Sequence, residues 1–175
     1  MAASNKIILI GMPGSGKSTA GLLLARSICR DFIDTDLLIQ NKAGSTLQRI
    51  IAERGMNGFL KLEEEILLGL SDNNVPMVIA TGGSAVLSEV AMSHLKSIGL
   101  VVWIDVPIHI LKRRLKNIKS RGIAMENGQT IEDVWHFRQP FYEKYADIRI
   151  NATGNSLEDT VDQLMENLGI SRCEC

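Results

Sequence analysis

Cysteine is scarce, with only Cys29, Cys173 and Cys175 in 175 residues. Their spacing matches neither a metal-ligand set nor a disulfide framework, so neither is expected. Cys29 falls on the apolar side of the first helical stretch and reads as a core residue. Cys173 and Cys175 read as a frayed tail, and a reducing, cytoplasmic setting fits this usage. Long hydrophobic runs are missing as well. Every apolar run falls far short of the roughly 18 residues that cross a bilayer, which excludes a membrane-spanning helix. The first strand is expected almost at once, leaving no room for a cleavable signal. Charge of one sign is also lacking. Nineteen Lys and Arg against twenty Asp and Glu leave a net charge of −1, unlike the strongly basic balance of a general nucleic-acid binder. His94, His109 and His136 share no ligand spacing. With 45% apolar and 22% charged residues, the chain has the composition of one globular domain, spanning 1–175, with enough length for a sizeable core.

What is present is an alternation of strand and helix signals from end to end. Strands are expected at Ile7–Ile10, Asp31–Asp34, Val75–Ala80, Leu100–Val106 and Asp147–Asn151. Helical spacing appears after each of the first four. Asp36–Lys42 reads as a helix stopped by Gly44, and Leu47–Arg54 as one capped by Ser45 or Thr46. Gly55–Gly58 reads as a turn before a further helix, Phe59–Leu70. Ser88 caps a helix ending near Gly99, and Pro107 opens one through about Asn117. Thr130 caps another from Ile131 toward Tyr145, kinked or interrupted at Pro140. Ser156 with Asp159 has the spacing of a capping box. Residues 118–130 form an irregular segment suited to a mobile lid. This order predicts an α/β domain, with a parallel sheet covered by helices on both faces.

The most informative stretch is Gly11-Met12-Pro13-Gly14-Ser15-Gly16-Lys17-Ser18-Thr19, set between the first strand and the first helix. Gly-x-x-x-x-Gly-Lys-Ser in that context is a phosphate-binding loop. Its glycines let several N–H groups converge on one anion, and the helix N-terminus adds its own N–H groups and dipole. Lys17 is placed for the β- and γ-phosphates of ATP, and the Ser18 hydroxyl for Mg²⁺.

In a parallel sheet the ligand lies at the carboxyl ends of the strands. That rule gathers the loop, Asp34–Asp36, Thr81–Ser84 and Asp105–Val106 around one crevice. Phosphoryl transfer needs charge neutralisation by Mg²⁺ and a group that orients the attacking hydroxyl. Asp34 is assigned to the metal environment and Asp36 to the acceptor hydroxyl; the competing reading is that one of them only caps the next helix. Gly82 and Gly83 allow close backbone approach, and their N–H groups are candidates to hold the acceptor. Between Asp105 and Glu126 there is no acidic residue but six cations. Most of these read as a solvated face. Arg121 is placed to stabilise transferring charge, and Arg114 to lie against the adenine ring. Arg138 is a candidate to grip an acceptor carboxylate, against the alternative of a surface ion pair. Trp103 reads as core.

Taken together, Gly-x-x-Gly-x-Gly-Lys-Ser-Thr, Asp34-Thr35-Asp36, Phe59-x-x-x-Glu63, Thr81-Gly82-Gly83, the basic segment around Arg121, and Arg138-x-x-Phe-Tyr resemble the shikimate kinase family over about residues 5–168. The resemblance implies a nucleoside-monophosphate-kinase-like fold with a five-stranded parallel sheet, ATP and Mg²⁺ as cofactors, and phosphorylation of the shikimate 3-hydroxyl. A cytoplasmic monomer with no nucleic-acid or membrane partner is expected beside it. It places Gly14, Ser15, Gly16, Lys17, Ser18, Thr19, Arg114, Arg121 and Asn155 on the nucleotide. Asp36, Gly82, Gly83 and Arg138 fall on the acceptor, Ser18 and Asp34 near the metal, and Lys17, Asp36 and Arg121 in catalysis.

The chain departs from the family pattern in three places. Leu60 stands where Phe-Arg-x-x-Glu has its carboxylate-gripping arginine, Ser84 replaces a third glycine, and Gly122 replaces a proline after Arg121. Lys61 is adjacent to Leu60, but one helical step turns it about 100° away. Leu60 leaves room for a different hydroxylated acceptor, a sugar acid or a nucleotide, or for a nucleotide binder that does not turn over. Retention of Lys17, Asp34, Asp36 and Arg121 opposes that last alternative.

Overall fold

A computed structural model describes residues 5–71, 73, 75–115, 123–125, 128–153 and 156–173. Arg121, Gly122 and Asn155, and most of the segment assigned to a lid, lie outside these residues.

Five parallel strands form one sheet: β1 (Lys6–Ile10), β2 (Asp31–Asp34), β3 (Met77–Ala80), β4 (Leu100–Asp105) and β5 (Ile148–Asn151), in the spatial order β2-β3-β1-β4-β5. The three strands flanked on both sides, β3, β1 and β4, are the ones that read as apolar runs, and β1 is the sheet's centre. Every residue of β1 is buried, as parallel strands covered on both faces must be. The edge strands β2 and β5 carry the polar residues and the exposure.

Strand alternation sends neighbouring side chains to opposite faces. Leu9 and Val78 point toward α1 (Lys17–Ser27), where they meet Gly21. Trp103, level with Ile10, points the other way and stacks on Tyr142 of α6 (Ile131–Tyr145) at 5.7 Å between ring centres. Helices therefore lie on both faces. α1 packs beside α7 (Leu157–Leu168), while α3 (Leu47–Leu68) packs against α2 (Thr35–Ala43) and α4 (Glu89–Ile98). A short α5 (Ile108–Arg114) follows β4.

The helix ends follow their capping chemistry. Thr46 and Ser88 each accept the N–H three residues on, and Thr130 with Asp133 and Ser156 with Asp159 form full capping boxes. Gly44 ends α2 in the left-handed region, φ 61°.

Three elements differ from the sequence reading. The turn expected at Gly55–Gly58 contracts to one non-helical residue, Gly55, and helix resumes immediately, so the two expected helices merge into α3. A 3-10 turn, Ala85–Leu87, precedes α4. α6 continues through Pro140 without interruption.

The cysteine expectation is overturned. Cys29 is exposed at the end of α1, in a left-handed conformation with φ 52°, and is bonded to Cys173 with 6.1 Å between Cα atoms. The Cys173 N–H also donates to the Ser27 carbonyl, so the tail is anchored up to this point. The pairing spans 144 residues, and no local pattern announces it.

The core has two parts. The main one surrounds the sheet. A smaller cluster, Ile39, Leu47, Ile50, Phe59, Leu62 and Ala124, lies under α2 and α3. No helix among the described residues is long and apolar enough to cross a membrane.

Candidate active site

The strand ends open into a cleft of about 570 Å³, within the range of small-molecule sites. One wall is the loop between β1 and α1. Gly14 (φ 79°) and Gly16 (φ 96°) adopt backbone angles that side-chain-bearing residues rarely tolerate, and α1 begins at Lys17 directly after Gly16. Lys17 is buried, and its ammonium donates to the carbonyls of Gly11 (2.8 Å) and Met12 (2.9 Å). Burial lowers the Lys17 pKa to about 8, against the opposing pull of Asp36 and Asp34. Ser18 and Thr19 are exposed on the cleft rim. Arg114, at the end of α5, donates to the Gly14 carbonyl at 3.3 Å and also lines the cleft.

The facing wall is built from side chains of α2, α3 and α6 and from the turn after β3. Asp36 faces the cleft, and burial pushes its carboxyl up to about 6, with Lys17 opposing and Asp34 adding to the shift. Asp34 caps α2, its Oδ1 accepting the N–H groups of Asp36 (2.9 Å) and Leu37 (3.4 Å). Arg138 is only 3% exposed; Nη2 donates to the Ala124 carbonyl, while Nε and Nη1 have no partner among the described residues. Buried donors of this kind are rarely left unpaired in folded proteins, and Arg138 makes no ion pair among the described residues.

Gly82 and Gly83 act through space. A Cβ on Gly82 would lie 2.2 Å from Glu63 Oε1 and 2.8 Å from Asp36 Oδ1; one on Gly83 would lie 2.5 Å from Pro13 Cδ. The Gly82 N–H, expected to be free for an acceptor, donates to Thr35 Oγ1 at 3.1 Å. Of the pair, only Gly83 lines the cleft. Asp105 also falls outside it and pairs with Arg149 at 2.7 Å.

Three contributors stood in motifs that the sequence reading quoted but were given no role of their own: Thr35, Glu63 and Ser84. Glu63 is 1% exposed, and burial pushes its carboxyl up to about 7. Its position was a detectable signal. It lies four residues from both Phe59 and Leu67, on the buried stripe of α3, where an ionisable group is out of place without a task.

Against this geometry, a family model described as shikimate kinase matches residues 13–169. The chain belongs to the shikimate kinase family. The shikimate kinase of Pasteurella multocida is 34% identical over 169 residues, covering 95% of this chain and 96% of that relative. Among solved structures, shikimate kinase from Acinetobacter baumannii in complex with shikimate has a TM-score of 0.86 at 29% identity, over 93% of this chain and 92% of that one. Shikimate kinase from Aquifex aeolicus has a TM-score of 0.81 at 35% identity, over 94% and 96%. The family consists of phosphotransferases that act on an alcohol and use ATP, and the five-stranded sheet seen here is its fold.

The Leu60 departure now has a place in space. Leu60 is half-buried, packs against the smaller apolar cluster, and lines a separate pocket of about 120 Å³ together with Lys61. Neither residue lines the main cleft. Lys61 is exposed and does not replace the missing cation.

Proposed function

We propose that the protein transfers the γ-phosphate of ATP to the 3-hydroxyl of shikimate. The observation that carries this reading is the pairing, in one cleft, of Asp36 with the buried, half-unpartnered Arg138 opposite the Lys17 loop. The loop amides and Lys17 hold the triphosphate, and Arg114 borders the base. Arg138 takes the acceptor carboxylate, which orients the ring so that one hydroxyl meets Asp36. A carboxylate near pH 6 is ionised at neutral pH and accepts that hydroxyl's proton as the oxygen attacks the γ-phosphorus. Arg121 and Asn155 keep the roles implied by the family pattern.

The donors also fit Mg²⁺. Ser18 presents an exposed hydroxyl on the rim, and Asp34 supplies a carboxylate at the same strand end. Among the described residues no group of three or more His, Cys, Asp or Glu could hold a metal, which agrees with an ion carried by one or two protein oxygens, phosphates and water. Bound there, Mg²⁺ would neutralise triphosphate charge.

The test is ADP release with shikimate and with a panel of other hydroxylated acids. Turnover on shikimate supports the assignment. Turnover confined to another hydroxy acid would keep the kinase and replace the acceptor, a second reading that Leu60 favours. We further propose that the whole chain works as one kinase domain, as a cytoplasmic monomer on a small molecule, with no nucleic acid or membrane involved. The Cys29–Cys173 bond opposes the cytoplasmic placement, since cytosolic thiols are kept reduced. Thiol labelling of protein extracted under alkylating conditions decides between them.

A further inference from the structure

Two of the chain's departures from its family pattern meet at one carboxylate. In Phe-Arg-x-x-Glu the Arg and Glu stand three residues apart on one helix, close enough to pair. Here Leu60 cannot pair with Glu63. Instead Ser84, also buried and standing where the pattern has glycine, donates its hydroxyl to Glu63 Oε2 at 2.6 Å. Four residues on, Ser88 donates to Glu64 Oε2 at 2.5 Å, so the turn after β3 is stitched to α3 at two successive carboxylates. Glu63 Oε1 has no partner among the described residues and points at the Gly82 backbone, alongside Asp36 Oδ1.

We propose that Ser84 is a positioning residue for the acceptor: it clamps Oε2 of Glu63 so that the buried Oε1 stays against the Gly82 backbone beside Asp36, and so fixes the Asp36 carboxyl and the Gly82–Gly83 turn, of which Asp36 and Gly83 line the cleft. The inference rests on the kinase reading above. A hydroxyl suits this task where glycine does not, because a buried carboxylate without an anchoring donor is both costly and free to rotate. The charged groups bearing on Glu63 are Asp36 from α2, Arg138 from α6 and Lys17 from α1; Asp36 disfavours its ionisation, and Arg138 and Lys17 favour it. The Ser84 hydrogen bond also favours the ionised form, so removing it moves Glu63 toward the neutral acid. Leu60 and Ser84 are then two halves of one exchange, in which an anchoring cation on the helix is replaced by an anchoring hydroxyl on the turn.

The experiment compares the full-length protein with Ser84→Ala and Ser84→Gly. The acceptor KM should rise roughly tenfold in both, with kcat changed by less than about threefold. Infrared titration without acceptor, with Glu63→Gln identifying the band, should show the Glu63 carboxyl protonated to a pH about one unit higher in Ser84→Ala. Leu60→Arg should improve acceptor affinity several-fold more in the Ser84→Gly background than in the parent. An unchanged KM with an unchanged Glu63 titration would overturn the proposal, as would strict additivity of the two substitutions. If the parent turns over neither shikimate nor any other hydroxylated acid, the kinase reading fails, and the infrared titration still decides what Ser84 does to Glu63.

Discussion

The two walls of the cleft are made from different materials. The nucleotide wall is mostly backbone: a loop of amides, left-handed glycines, and a lysine held by two main-chain carbonyls. It grows directly from β1, the most buried strand, and rests on the main core. The acceptor wall is mostly side chain. Asp36, Ser84 and Arg138 come from separate elements, with Glu63 buried behind them, and a small apolar cluster lies under α2 and α3. A backbone site is tied to local residue order and tolerates little drift. A side-chain site can be rebuilt by exchanging partners: of the chain's three departures from its family pattern, Ser84 falls on this wall and Leu60 lies on α3 beside it, outside the cleft.

The largest test of this contrast is Asp36→Asn. If the walls act separately, phosphoryl transfer falls roughly 10²–10⁴-fold while the calorimetric ATP affinity stays within about twofold. A matching loss of ATP binding would break the separation. Next is Cys173→Ser. The disulfide ties α1, which carries the nucleotide wall, to the tail, and its loss should lower unfolding stability by up to about 4 kcal/mol. The acceptor KM should not respond, because no acceptor residue touches the staple.

Glu63→Gln sharpens the comparison through pH. The folded pKa of Glu63 is raised to about 7 from 4.5, so the folded state is favoured by protonation. That contribution is fully present below about pH 4.5 and is lost as the pH rises through 7. Urea unfolding should therefore find Glu63→Gln more stable than the parent by up to ~3 kcal/mol at pH 8, with the difference vanishing at pH 4. The smallest expected effect is Arg138→Ala, which should raise the acceptor KM roughly 10–100-fold and leave that of ATP unchanged. Arg138→Lys should recover only part of the loss, because an ammonium is a compact point charge without the rigid planar fork of donors that the guanidinium offers.

Much of the fold was legible because its signals are local. Asp31–Asp34 is the second strand as read, Gly44 stops α2, and the Thr130 and Ser156 caps begin α6 and α7. The errors share one cause. Gly55 looks like a turn signal, but packing of both flanking segments against the small cluster lets helix resume after a single residue. Cys29 follows an apolar helical pattern, yet it sits past the end of α1 where that pattern no longer applies. At the site, Gly82 was read as a donor, and its N–H is taken by Thr35. In each case the competing partner is a neighbour in space or in a turn that residue type does not disclose.

The sequence by itself determined the phosphate-binding loop, the strand order along the chain and the ends of most helices, because each depends on backbone freedom, capping and apolar spacing within a few residues. Only the tertiary structure decided that Cys29 meets Cys173, that Arg138 is buried with donors to spare, and that Glu63 is held by Ser84. Those facts depend on which distant side chain fills a partner's hydrogen-bonding or covalent demand, and that is settled when the helices close over the sheet.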